Sequence, residues 1–342
     1  MTDVKKAIIV GCGGMGQGWI GNVKGNPRAE VAALVDIRSE AAKAAAEKFE
    51  LDPSRVFDDL RKALDACEAD FVVDVTTPEA HCPTTVTALK AGLPVIGEKP
   101  MAESMASARK MVAASEKTGK LYMVSQSRRY NVNHKSARMA IQSGAVGEVT
   151  TINCDFYVGA HFGGFRDEMD SPLILDMSIH HFDLCRFLIG ADPVAVYACE
   201  FNPKGSWYTG DPSASAIFEM TDDIIFTYRA SWCSEGCHTS WNGDWRIVGD
   251  SGTILMEKDR MPTGERVKDI SQAGFHRDLE DVPIETAHLS GTEIEGSLNE
   301  MLDYLETGAP PQCECHDNIK SLAMVAAVID SSKKKKRVDI RI

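Results

Sequence analysis

The stretch Ala7-Ile-Ile-Val-Gly-Cys-Gly-Gly-Met-Gly16 decides the fold. Four apolar residues run into the pattern G-x-G-x-x-G, and a helical sequence follows directly. Glycines at these positions allow a tight turn and a close backbone approach to a pyrophosphate, which then rests on the helix N-terminus. Gly11, Gly13, Gly14, Met15 and Gly16 are therefore candidate cofactor contacts. A glycine turn by itself is a common structural feature, so its context matters. The second apolar run, Val31-Ala-Ala-Leu-Val35, ends in Asp36, twenty residues past Gly16. A carboxylate there accepts hydrogen bonds from the adenine-side ribose and repels a 2′-phosphate, which favours NAD. Arg38 works in the opposite direction and keeps NADP open, because a guanidinium can hold that phosphate.

Working outward, short apolar runs alternate with helical patterns up to about residue 125, the signature of a parallel sheet with helices on both faces. Strands are expected at Lys6–Val10, Val31–Val35, Phe71–Val75, Val95–Gly97 and Leu121–Val124. Helices are expected at Ser39–Phe49, Leu60–Ala66, Pro83–Ala91 and Ser104–Lys117, with Asp58, Pro83 and Ser104 as starts and Gly92 and Gly119 as stops. Ligands of such sheets bind at the carboxyl ends of the strands. Thr76, Thr77, Pro78 and His81 follow the third strand there, although His81 equally suits the start of a helix. Glu98-Lys99-Pro100 leaves the fourth strand, and Pro100 restricts Lys99 to extended backbone and admits a cis bond. A lysine held in that cleft stabilises alkoxide character on a substrate oxygen.

Composition changes after Tyr130. A helix at Lys135–Ser143 precedes strands at Val149–Val158, Val194–Phe201, Ser213–Met220, Ile224–Cys233, Trp245–Val248 and Thr253–Glu257. Asp222-Asp223 reads as a tight hairpin turn, and strands in succession point to a largely antiparallel sheet. The tail returns to helices at Glu293–Thr307 and Asn318–Ser332, then a last strand at Arg337–Ile342. The expected division is an α/β cofactor domain over 1–125 and a second α/β domain over 126–342.

A helix over Asp176–Ile189 interrupts the second set of strands. On it, Asp176, His180 and Asp183 are four and three residues apart and so share one face. An imidazole flanked by carboxylates suits a general base for a hydroxyl proton. A polar-faced structural helix or a metal site would carry the same residues. Cys233-x3-Cys237-His238 and Cys313-x-Cys315-His316 lack the Cys-x2-Cys spacing of common zinc sites, so no metal is expected. Trp207, Tyr208, Trp232, Trp241 and Trp245 offer rings for stacking on a sugar, but aromatic residues on strands more often fill a core.

A net charge of −13 argues against nucleic acid or anionic membrane as partner. The ten cysteines follow no disulfide framework, and the lead Met1-Thr-Asp-Val-Lys-Lys reads as the approach to a first strand rather than a signal peptide. A cytoplasmic location is expected.

With these residues in view, the chain resembles the Gfo/Idh/MocA family, which contains glucose–fructose oxidoreductases and inositol dehydrogenases. The resemblance runs nearly the whole length. It is carried by the glycine motif, Thr77-Pro-x-x-His81, Ala91-Gly92, Glu98-Lys99-Pro100, Arg129-Tyr130, Gly144-x-x-Gly147-Glu-Val, Asp176-x-x-x-His180-x-x-Asp183 and the closing pattern from Ser297-Leu through Ser321-Leu-Ala to Ser331. It implies a Rossmann domain followed by an α/β domain with a large open sheet that commonly mediates homodimers or homotetramers. It implies Lys99, His180 and the supporting acid Asp176 as the catalytic set, with Glu98 beside the cofactor. Tyr130, Arg166 and His181 join the residues expected to touch substrate. The implied reaction is hydride transfer between nicotinamide and a CH–OH carbon of a sugar, sugar derivative or cyclitol. A sugar-modifying enzyme with transiently reduced bound NAD, and a non-catalytic NAD sensor, are the rival readings. Ser171-Pro172 and Ser178 stand where many members have glycine, which points to an altered pocket.

Overall fold

The structure, a computed structural model, describes residues 4–342, so residues 1–3 of the expected lead lie outside it. By its internal contacts the chain divides into two compact units. One comprises the chain up to Ser127 together with Ser290–Leu322, and the other Arg128–Leu289 with Ala323–Ile342.

The first unit alternates strand and helix: β1 (Lys5–Val10), α1 (Gly14–Gly25), β2 (Ala29–Val35), α2 (Ser39–Lys48), β3 (Val56–Phe57), α3 (Leu60–Ala66), β4 (Phe71–Asp74), α4 (Pro78–Lys90), β5 (Val95–Glu98), α5 (Met105–Thr118) and β6 (Tyr122–Ser125). The strands form one parallel sheet in the order β3-β2-β1-β4-β5-β6, the Rossmann arrangement. The order reverses between β1 and β4, so Gly11 and Val75 leave the sheet side by side. That topological switch point is where open α/β sheets bind ligands. Beneath it Ile9, Phe71, Val73 and Ile96 pack with Trp19, Ile20 and Val23 of α1.

Three details differ from the sequence reading. Helix α4 starts at Pro78 with Thr77 as its cap, and Pro83 lies inside it. Proline fits the first helical position, where no N–H is needed, better than it fits an interior one. Asp59 rather than Asp58 caps α3 by accepting the Arg61 N–H at 2.8 Å. The third difference is the return of the C-terminal region. Leu298, Met301 and Leu302 of α8 (Glu293–Thr307) pack in the core of the first unit against α1, so the division is not the single cut at 125/126.

The second unit contains α6 (Val132–Gln142), β7 (Val149–Tyr157), α7 (Ile179–Ile189), β8 (Pro193–Phe201), β9 (Ser213–Met220), β10 (Ile225–Ser231), β11 (Asp244–Gly249), β12 (Gly252–Met256), β13 (Thr263–Val267) and β14 (Leu279–Asp281). The division between units falls within α9 (Cys315–Lys334), and β15 (Val338–Asp339) ends the chain's regular structure. Nine strands pair in the order β14-β13-β12-β11-β7-β10-β9-β8-β15, all antiparallel except β7 with β10. Asp222 and Asp223 make the expected hairpin between β9 and β10, with φ of 60° and 57°. The short strands β3, β13 and β14 were not legible, and the last strand is two residues rather than six.

One sheet face is covered by α7. Phe182 meets Phe218 at 5.0 Å and Tyr228 at 5.1 Å, both edge-on, and Phe226 stacks on Trp245. The other face alternates outward, with Tyr197, Ile217, Thr227, Asn153, Arg246 and Leu255 in register across six strands. Among the described residues no helix is long and apolar enough to cross a membrane.

Within the second unit, Arg129 grips Asp183 through Nε at 2.7 Å and Nη2 at 2.6 Å, and both residues are buried. Removing one member of such a pair strands the other charge in the interior. Asp183→Asn is therefore expected to lower the unfolding free energy by about 3–5 kcal/mol, measured as a shift of the urea midpoint.

Candidate functional site

The first unit supplies a cradle at the ends of β1, β2, β4 and β5. Gly11 has φ of +99°, and a Cβ there would lie 2.4 Å from the Val75 carbonyl oxygen. A Cβ on Gly16 would lie 2.0 Å from the Gly11 oxygen. These two glycines are demanded by the turn itself. Gly13 and Gly14 differ, since a Cβ on either would meet nothing within 4 Å. Their bareness serves whatever approaches from outside. Gly13 caps α1 without a side-chain hydrogen bond, so the amides of the first turn face the open side. Met15 stands beside them, half exposed.

Asp36 is fixed by its own chain. Its Oδ2 accepts the Cys12 N–H and its Oδ1 the Arg38 N–H, each at 2.9 Å. The carboxylate thereby tethers the glycine loop to the end of β2, while the Arg38 side chain extends into solvent with its Nε 3.6 Å from Asp36. Bare amides at a helix start, with an acceptor at the end of the next strand, fit a dinucleotide.

Beyond β4, Thr77 is exposed and Pro78 opens α4. Thr76 donates its hydroxyl to Asp74 at 2.6 Å. His81 is a correction. It is 2% exposed, with Nδ1 3.0 Å from Asp74, and Thr85 donates to the same carboxylate. A fully buried carboxylate needs donors, and His81 is spent on that rather than on lining a cofactor or capping a helix.

At the end of β5, Glu98 is buried and Lys99 half-buried, with a cis peptide bond between Lys99 and Pro100. Glu98 accepts the Trp19 indole N–H at 2.7 Å and the Lys99 N–H at 3.1 Å. Burial pushes its carboxyl above the usual range, opposed by the Trp19 hydrogen bond and the Lys99 charge. Trp19 went unnoticed in the sequence. Its signal was an indole N–H in the middle of a core helix, which must find an acceptor.

The second unit holds the other candidates. Asp176 lies in a π-helical turn, Leu173–Ser178, that leads into α7. Arg166 donates Nε to Asp176 at 2.6 Å, and its guanidinium lies 5.0 Å and 4.8 Å from the ring centres of Phe162 and Phe165. His180 is half-buried on the first turn of α7.

The neighbours of His180 go elsewhere. His181 is fully buried, with Nδ1 2.9 Å from the Tyr228 hydroxyl and Nε2 3.4 Å from the Trp241 carbonyl. Desolvation holds its ring well below the ordinary histidine pKa, and the Arg128 charge adds to this. It is a core residue, bonded within the second unit. Asp183 pairs with Arg129 in the interior. Tyr130 is also buried, at 5% exposure, because the turn Ser127–Tyr130 packs inward. Ser178 donates to the Tyr228 hydroxyl at 3.0 Å and so points into the core.

Of the cysteine–histidine clusters, Cys315 and His316 with Glu314 bring donor atoms within 4.8 Å of one another. Glu314 is engaged there in capping α9, accepting the Asp317 N–H at 2.8 Å.

The profile described as "Oxidoreductase family, NAD-binding Rossmann fold" matches residues 5–126, and the "GFO/IDH/MocA C-terminal domain" matches residues 134–255. D-apiose dehydrogenase of Paraburkholderia graminis is 27% identical, over 99% of this chain and 91% of its own. Inositol 2-dehydrogenase of Rhizobium meliloti is 26% identical, over 97% and 98%. An oxidoreductase from Agrobacterium radiobacter, solved with NAD+, L-tartaric acid and magnesium, superposes with a TM-score of 0.85 at 22% identity, covering 98% of each chain. With both of its characteristic domains matched in order along one chain, the protein belongs to the Gfo/Idh/MocA family of NAD-binding oxidoreductases.

Proposed function

We propose that this protein is an NAD-dependent dehydrogenase acting on a CH–OH carbon of a sugar, sugar derivative or cyclitol. The observation that carries the reading is the sorting of the polar residues of α7 and its approach. His181 and Asp183 are consumed by the core, while His180 stays half-buried and Asp176 is held by Arg166. A histidine left half-buried on such a helix has the chemistry for proton transfer. The relatives named for D-apiose and inositol dehydrogenase activity lend the substrate class.

In this reading His180 takes the proton of the substrate hydroxyl, and Asp176 orients the ring. Arg166 fixes Asp176 in turn. Lys99 stabilises the negative charge that develops on the substrate oxygen. Gly13, Gly14 and the first turn of α1 would hold the pyrophosphate of NAD, and Asp36 the adenine-side ribose. NAD, when bound, supplies the hydride-accepting carbon of the nicotinamide.

The outward sheet face, with Tyr197 and Ile217 about half exposed, is the surface through which we expect a homodimer or homotetramer to form. All ten cysteines are free thiols, in keeping with a reducing cytoplasm.

The reading is tested by NADH absorbance with a panel of cyclitols, aldoses and sugar acids. Lys99→Ala and His180→Ala should each lower kcat by about 10²–10⁴-fold, while NAD binding persists by calorimetry. Near-normal turnover in either variant would sink the assignment. Asp36→Ala should raise the KM for NAD and narrow the preference over NADP by about tenfold. Ile217→Lys should yield a smaller species by sedimentation velocity, and an unchanged sedimentation coefficient would place the interface elsewhere.

A further inference from the structure

The second unit carries an aromatic surface to which no step of the proposed chemistry assigns a role. Of the five aromatic residues conspicuous in the sequence, Tyr208, Trp232 and Trp245 are core residues, exposed by 4% or less. Trp207 stacks on His161 at 3.7 Å. Trp241 alone among the five is 47% exposed, and Phe162 beside it is 42% exposed.

Trp241 is held in place. Its carbonyl accepts Arg128 Nη1 at 2.5 Å and lies 3.4 Å from Nε2 of His181, the immediate chain neighbour of His180. Phe162 is braced edge-on by Trp232 at 5.0 Å. The Trp241 and Phe162 rings stand 6.1 Å apart, inclined at 52°, and Trp241 also lies 6.0 Å from Phe156. Arg166 lies over the Phe162 ring and is paired with Asp176.

Two rings held in place yet more than two-fifths exposed forfeit burial free energy unless something covers them. What covers them must be apolar on one face and polar at its rim, to meet the ring pair and the Arg166–Asp176 pair together. A pyranose or cyclohexane polyol has that form, because its axial C–H bonds make an apolar face and its hydroxyls project around the edge. An open-chain polyol presents no continuous apolar face. We infer that Trp241 and Phe162 stack on one face of the substrate ring and select ring-form sugars or cyclitols over open-chain polyols. The inference rests on the proposed function and narrows its substrate class.

The test uses the whole protein with NAD present. The probes are myo-inositol, scyllo-inositol and methyl β-D-glucopyranoside as locked rings, and sorbitol as the open chain. At least one locked ring should perturb tryptophan emission and bind more tightly than sorbitol by calorimetry. Trp241→Ala should remove the emission change and weaken ring binding by about tenfold, with Phe162→Ala weakening it less. Trp241→Phe should recover most of the affinity, which a folding defect in the alanine variant would not predict. Ring affinity within about twofold of wild type in Trp241→Ala, sorbitol binding as tightly as the rings, or no ring binding at all would each overturn the inference. NADH formation in the same samples separates the two claims. Trp241-dependent ring binding without NADH would keep the stacking and remove the dehydrogenase. NADH from sorbitol alone would do the reverse.

Discussion

A carboxylate taken out of water costs several kcal/mol unless donors meet it, and four are buried among the described residues, Asp36, Asp74, Glu98 and Asp183. Asp74 is met by Thr76, Thr85 and His81, Glu98 by Trp19 and the Lys99 amide, and Asp183 by Arg129. Each of these anchors one element to another. Asp74 ties α4 to the end of β4, and Glu98 ties the helix behind the glycine loop to the strand that delivers Lys99. Asp183 ties α7 to the turn before α6. Glu98 thereby fixes the strand end next to Lys99, and Asp183 the helix that carries His180.

The same logic explains the glycine loop. Gly11 and Gly16 are excluded from carrying a side chain by the backbone around them, and Gly13 and Gly14 by nothing within the protein. Asp36 completes the arrangement by accepting two backbone amides, so the loop and the end of β2 hold each other in place. The acidic group that sequence alone suggests for a ribose is thus also a structural clamp.

Much of this was legible from spacing. The glycine motif, Asp36 and the change from alternating helix and strand to strand after strand define the two sheets. Asp222-Asp223 announces its own hairpin, because both residues tolerate positive φ. What spacing did not carry was the fate of polar side chains paired over long distances. His180 and His181 are adjacent and identical in type, and Tyr228, 47 residues beyond His181, and the Trp241 carbonyl tell them apart. Asp183 belongs to Arg129, 54 residues before it. Counting four residues from Asp176 to His180 assumes one continuous α-helix, whereas the π-helical turn at Leu173–Ser178 widens the path and changes the phase. Trp19 and Glu98, 79 residues apart, were invisible as a pair for the same reason.

The return of α8 to the first unit has a consequence for how the chain comes into being. Leu298, Met301 and Leu302 pack in one core with Trp19, Ile20 and Val23, and almost the whole of the second unit is encoded between them. Domains emerging from the ribosome ordinarily fold in order, N-terminal first. Here the N-terminal unit cannot finish first, because part of its interior has not yet been translated. The sheet unit encoded in between can collapse while the nucleotide-binding half still waits with α1 uncovered. The cradle is encoded ahead of the second sheet and becomes complete only after it.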